Sequence, residues 1–192
     1  MILHKYKAIF IHVPKTGGSS VNFALRPYCD EETHSKAHPL QSAYYNFCDA
    51  DNYYQFSFVR NPFSRLVSSY NYLRQGGISQ YDRDARDKLG LQEKTFEEFV
   101  KSFNPIDSAI HFKPQIKFFN KDINKVRIFK LENIQSDFNL ICGKIGIPRQ
   151  KLLRRNKSNH KHYTEYYDDE TRKIVAEKYA KDIECFSYEF EE

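Results

Sequence analysis

Apolar residues gather along the chain in two kinds of run, and their alternation predicts the architecture. Residues 8–13 are apolar and rich in β-branched side chains up to Pro14, the pattern of a buried strand. Residues 54–60 alternate and then run apolar, and residues 126–131 form a third such stretch. Between them the period changes. Residues 19–26 place Val21, Ala24 and Leu25 on one side and stop at Pro27. Residues 63–74 carry Phe63, Leu66, Val67, Tyr70 and Leu73 at helical spacing, Ile134–Ile145 is closed by Gly146, and 168–183 is strongly amphipathic. Thr95 followed three residues later by Glu98 predicts a capping box for a helix over 95–103. Shorter helices are expected at 40–47 and 114–119. Residues 75–93 are charged and contain glycine, the pattern of a flexible loop, and residues 149–167 form a basic loop. Repeated strand-then-helix units predict an α/β fold: a P-loop-like domain with a central, mainly parallel sheet flanked by helices, with residues 1–192 as one domain.

Composition narrows the class. The 192 residues include 16 Phe and 14 Tyr, an aromatic load that excludes a disordered chain despite 29% charged residues. The formal net charge of +5 suits an anionic partner without naming it. Basic residues are dispersed and no nucleic-acid motif is present, so nucleic acid is not an expected partner. Cys29, Cys48, Cys142 and Cys185 have no CxxC spacing and no histidine at zinc-ligand spacing, which predicts four separate thiols. The apolar stretch near the N-terminus is too short for a signal peptide or a membrane span, so a soluble, cytoplasmic chain is expected. No feature of the sequence indicates an oligomeric state.

The first candidate chemistry follows the first strand, in His12-Val13-Pro14-Lys15-Thr16-Gly17-Gly18-Ser19-Ser20. Gly17 and Gly18 permit a tight turn and close approach of an anion to backbone N–H groups. The helix that follows adds orphan N–H donors and the positive end of its dipole. Thr16, Ser19 and Ser20 add hydroxyls, and Lys15 adds a mobile charge. A Walker A loop needs its lysine after the second glycine; here Lys15 precedes both. The second candidate ends the second strand, in Val59-Arg60-Asn61-Pro62, with Ser68 eight residues after Arg60. Open α/β sheets bind ligands at the C-terminal ends of their strands, and a guanidinium offers a planar fork of donors to a phosphate. Taken singly, each motif also reads as ordinary structure: a Gly-Gly turn beside a solvated lysine, and an arginine paired with a surface carboxylate.

Together the two motifs resemble the sulfotransferases that use 3'-phosphoadenosine-5'-phosphosulfate (PAPS), most closely the carbohydrate-type branch that includes heparan sulfate 2-O-sulfotransferase and the chondroitin and HNK-1 enzymes. Pro14, Lys15, Thr16 and Gly17 match that family's 5'-phosphosulfate loop. Val59, Arg60, Asn61, Pro62 and Ser68 match its 3'-phosphate motif. His111-Phe112-Lys113-Pro114-Gln115 resembles its H-x-x-P-Q segment, residues 129–138 its strand-to-helix region, and Lys157, Ser158 and Tyr163 lie in a stretch similar to its closing segment. The chain is shorter than most glycan sulfotransferases. It lacks the Gly-rich 3'-phosphate motif of the cytosolic small-molecule enzymes, and the basic stretch 154–162 is expected to stand in for it.

The resemblance implies transfer of a sulfuryl group from PAPS to an acceptor hydroxyl, on a carbohydrate or small molecule, with release of 3',5'-adenosine bisphosphate (PAP) and no metal. Lys15 would stabilise the leaving phosphate. A hydroxyl acceptor needs a base, and histidine suits the role near neutrality. His38, in Lys36-Ala37-His38-Pro39, is the first choice and His34 the second; His111 is expected at the acceptor. Two other classes stay open on the residues alone. A P-loop kinase or NTPase would show magnesium-dependent ATP binding. A non-catalytic protein for PAP or an anionic glycan would bind without turnover.

Overall fold

The computed structural model describes residues 1–29, 38–153 and 161–191. Residue contacts group the chain into two compact units, Met1–Arg60 with Gln115–Asn156, and Asn61–Pro114 with Lys157–Glu192. The fold is α/β and P-loop-like, with a four-stranded, mostly parallel sheet and flanking helices.

The first unit holds the whole sheet. β1 (Ile2–Leu3) turns through a short 3-10 segment, His4–Tyr6, and pairs antiparallel with β2 (Ala8–Ile11). Lys7 makes the turn with φ 44°. The hydropathy pattern gave no sign of β1, which is only two residues long. β2 pairs in parallel with β3 (Tyr54–Val59), and β3 with β4 (Val126–Lys130). The register sets Phe10 beside Phe56, and their rings stack at 5.3 Å. α1 (Gly18–Leu25) and α6 (Ile134–Ile145) pack on the face carrying Phe10, Phe56 and Phe58, through Val21, Leu25, Phe138 and Ile141. The four-residue α2 (Gln41–Tyr44) is locked by Gln41, which donates to the Gln55 side chain at 2.9 Å and to the Asp122 carbonyl at 2.8 Å. Because β2, β3 and β4 run parallel, their C-terminal ends share one edge of the sheet. The Gly17 loop, Arg60 and Leu131 all follow from that edge.

The second unit is helical. α3 (Pro62–Arg74) starts on Asn61, whose side chain accepts from the Phe63 N–H, with Pro62 in the first turn where its missing N–H costs nothing. α5 (Phe96–Ser102) has the expected capping box of Thr95 and Glu98. Two sequence expectations are corrected here. Residues 75–93 are not a loop throughout: α4 (Gln80–Leu89) opens on a capping box of Ser79 and Asp82 and closes on Gly90 at φ 63°. The final helix is not continuous either, but divides at Tyr179 into α7 (Asp169–Lys178) and α8 (Ala180–Phe186). Tyr179 is wholly buried and its hydroxyl donates to the Phe112 carbonyl, while Lys178 donates to the carbonyls of Val100 and Phe103 at the end of α5.

Arg65 on α3 is buried in this unit. Burial holds its pKa below the usual arginine value, against the pull of Tyr179 and the wholly buried Asp182. Its Nη1 donates to the Lys113 carbonyl at 2.9 Å. A buried cation that loses a compensating charge destabilises the fold. Asp182→Ala is therefore expected to lower the urea unfolding free energy by more than the roughly 1 kcal/mol that an exposed pair is worth. A loss under about 1 kcal/mol, the range of an exposed pair, would show that Asp182 does not compensate Arg65.

Candidate functional site

In the first unit, the candidate anion site lies at the turn between β2 and α1. Lys15 has φ 68° and Gly17 φ 79°, with Thr16 between them outside the positive-φ region. Alternation of backbone hand turns successive N–H groups towards one concavity, the geometry of an anion nest. α1 then begins at Gly18, and its first N–H groups have no intrahelical acceptor. A lysine in the left-handed region is uncommon, and such outliers concentrate where the surrounding structure enforces them. Thr16 is wholly buried and its hydroxyl donates to the Val13 carbonyl at 2.9 Å, so it holds the turn closed and presents its backbone. Ser19 is exposed and Ser20 half-buried at the start of α1.

Both glycines are also required by packing. A Cβ on Gly17 would lie 2.7 Å from the side-chain tips of Leu131 and Ile134, and one on Gly18 would lie 2.0 Å from the His12 ring. Gly18 thus makes room for a buried imidazole.

Arg60, directly after β3, meets this loop. Its Nη1 lies 3.5 Å from the Lys15 carbonyl, at the outer limit of a hydrogen bond. The two motifs, forty-five residues apart in the chain, are therefore neighbours in one unit. Gln115 secures the arginine. It is wholly buried, its Oε1 accepts from the Arg60 N–H at 3.0 Å, and its Nε2 donates to the Arg60 carbonyl at 2.8 Å. A side-chain amide here continues the hydrogen-bond ladder where the strand itself has ended. The sequence carries no signal for this role of Gln115, since a neutral amide is neither titratable nor charged.

His38 lies near the same loop. Its Nδ1 is 3.2 Å from the His12 carbonyl, and the two imidazole centroids are 4.2 Å apart. His34, Lys157 and Ser158 lie outside the described residues.

The other predicted residues belong to the second unit. Ser68 is buried in α3. Tyr163 is buried among Phe190 and His162, and its hydroxyl accepts from the Glu191 N–H at 3.0 Å. His111 is 7% exposed, packs on the Tyr72 ring, and points Nε2 at Asp82 Oδ1 across 3.6 Å. Burial pushes the Asp82 carboxyl up. Hydrogen bonds from Ile78, Ser79 and Tyr72, with His111 nearby, outweigh that and hold it below the usual carboxylate range. The His111 ring therefore braces the turn into α4.

The four cysteines form no disulfide with one another, and of the four only Cys142 is buried. Among the described residues, no group of three or more His, Cys, Asp or Glu side chains is placed to hold a metal ion. Among the described residues, no helix is long and apolar enough to cross a membrane.

A turn of alternating backbone hand, a lysine and a pinned arginine thus stand together at one edge of a mostly parallel sheet in a P-loop-like fold. The chain belongs to the sulfotransferase family, whose family model matches residues 1–189 and so runs through both units. A relative from Archaeoglobus fulgidus (strain ATCC 49558 / DSM 4304 / JCM 9628 / NBRC 100126 / VC-16) is 30% identical over 129 residues, 65% of this chain and 88% of its own length. It is described only as an uncharacterized protein. No solved structure matches the chain at a significant level. Family membership carries sulfuryl transfer as the general reaction.

Proposed function

We propose that the chain, residues 1–192 acting as one catalytic domain, transfers a sulfuryl group from PAPS to an acceptor hydroxyl on a carbohydrate, without a metal. The observation that carries this is the approach of Arg60 Nη1 to the Lys15 carbonyl, which sets two anion-binding motifs side by side. The donor set fits the cofactor's chemistry: amides of alternating hand and a lysine for a 5'-phosphosulfate, and a guanidinium for a separate phosphate. Ser68 is assigned to that second phosphate on its spacing from Arg60 in the sequence, and Lys157, Ser158 and Tyr163 to the cofactor on the resemblance of the closing segment.

PAPS, when bound, supplies the activated sulfuryl group. The residues of the chain do the rest. Lys15 and the loop amides of Thr16, Gly17, Gly18, Ser19 and Ser20 stabilise the negative charge that collects on the departing phosphate oxygen as its bond to sulfur breaks. His38 takes the proton from the acceptor hydroxyl as the new oxygen–sulfur bond forms; His34 is the alternative base. His111 serves the acceptor by bracing residues 78–82, a stretch its ring reaches through Asp82.

Calorimetry with PAP and with ATP, each with and without magnesium, tests the cofactor. PAP is expected to bind without metal and more tightly than ATP, which has no 3'-phosphate for Arg60. Equal affinities or an absolute magnesium requirement would overturn the assignment. Arg60→Ala is expected to weaken PAP by roughly 1.5–3 kcal/mol, the worth of a hydrogen bond to a charged group. An acceptor screen with labelled PAPS then tests the carbohydrate.

A further inference from the structure

The described fold contains a histidine to which the proposed reaction assigns no part. His12 directly follows β2, between that strand and the candidate anion loop, and its surroundings are specific. Its ring stacks on Phe10 at 5.7 Å and lies so close to Gly18 that a Cβ there would come within 2.1 Å of Nε2. Asn22, one turn into α1, sets its Nδ2 3.1 Å from His12 Nδ1. The ring is thus wedged between the sheet and the first turn of the helix whose N–H groups face the anion. The main chain of the same residue holds His38. A carbonyl oxygen only accepts, so His38 Nδ1, at 3.2 Å from the His12 oxygen, carries the proton. The neutral His38 ring then keeps its lone pair on Nε2. A general base needs a defined lone pair, and the hydrogen bond at one ring nitrogen fixes the function of the other.

We propose that His12 is a positioning residue that ties the anion loop to the base: its side chain wedges Gly18 and the start of α1, and its carbonyl holds His38 in the Nδ1–H tautomer, so that Nε2 accepts the proton. The inference rests on the reading of His38 as the base. The contacts it invokes are nonetheless measurable without turnover.

Long-range proton–nitrogen NMR of the imidazoles in the full chain, at a pH where both rings are neutral, gives the first test. His38 is expected to show a protonated Nδ1 and an unprotonated Nε2; the opposite tautomer overturns the proposal. Thermal melts of Gly18→Ala, His12→Ala and the double variant give the second. Gly18→Ala alone should lower Tm, and removing the ring should make the same methyl tolerable, so the double variant should melt above Gly18→Ala. Additive losses would show that the ring does not wedge the glycine. The third test is kinetic. If His12→Ala folds, kcat should fall on the order of tenfold or more, because small misplacements of reacting groups carry such costs. The carbonyl itself survives in alanine, so the His38 spectrum reports whether it keeps its place: a shift towards a mixture of tautomers is expected if the ring positions it. Unchanged kcat with an unchanged spectrum rejects the positioning role. Should His12→Ala fail to fold, the wild-type spectrum still decides the tautomer. Failure of the underlying reading looks different: His38→Ala would keep full activity while the tautomer and the wedge remain as described.

Discussion

Lys15→Ala is expected to lower kcat on the order of a hundredfold or more while weakening PAP binding far less. In the proposed reaction, the charge that Lys15 answers is small in the bound ground state and grows as the sulfur–oxygen bond to phosphate breaks. An interaction that strengthens only in the transition state registers in kcat rather than in ground-state affinity. The ground-state anion keeps the loop amides and Arg60, which the variant leaves in place. Steady-state rates at saturating PAPS, set beside calorimetric PAP affinities, measure the split. A variant that turns over normally once saturated removes Lys15 from catalysis and leaves it a binding residue.

His38→Ala is the second large effect, expected at about 10²–10⁴-fold in turnover with PAP affinity nearly unchanged. A neutral hydroxyl must lose its proton as it attacks, and the residue that takes it must be unprotonated. Activity therefore rises with pH through the titration of the base, and the acidic limb of the kcat/KM profile reports that titration. In His38→Ala the limb should vanish with the activity. His34→Ala should cost less. The reverse order would make His34 the base. If neither substitution matters, transfer needs no histidine from this segment.

The position of the candidate site is legible in the sequence because its segments are local. The Pro14–Gly18 turn and the Arg60 strand end are short, and both fall at the ends of strands that hydropathy locates. Thr95 and Glu98 likewise announce α5 within four residues. The parts that were missed depend on distance or on weak patterns. α4 has only three apolar residues, Tyr81, Ala85 and Leu89, spaced four apart among charged ones, so its sequence reads as a loop, although Ser79, Asp82 and Gly90 punctuate it. The break at Tyr179 is tied to a carbonyl sixty-seven residues away, which no periodicity reveals. The pairing of Gln115 with both backbone groups of Arg60 spans fifty-five residues. Gly18 was read for what it lets in from solvent, whereas half of its reason is the histidine ring behind it.

The left-handed backbone of Lys15 bears on how such a chain drifts under selection. A non-glycine residue there gives up roughly 1–2 kcal/mol to its own Cβ, while glycine gives back only about 0.4–1 kcal/mol through a freer unfolded chain. Selection for heat tolerance alone thus favours glycine at position 15, and glycine carries no ammonium. Lineages that keep lysine in this turn do so against the gradient of stability. Degenerate copies released from their reaction should lose that side chain early, while the sheet and its aromatic core persist.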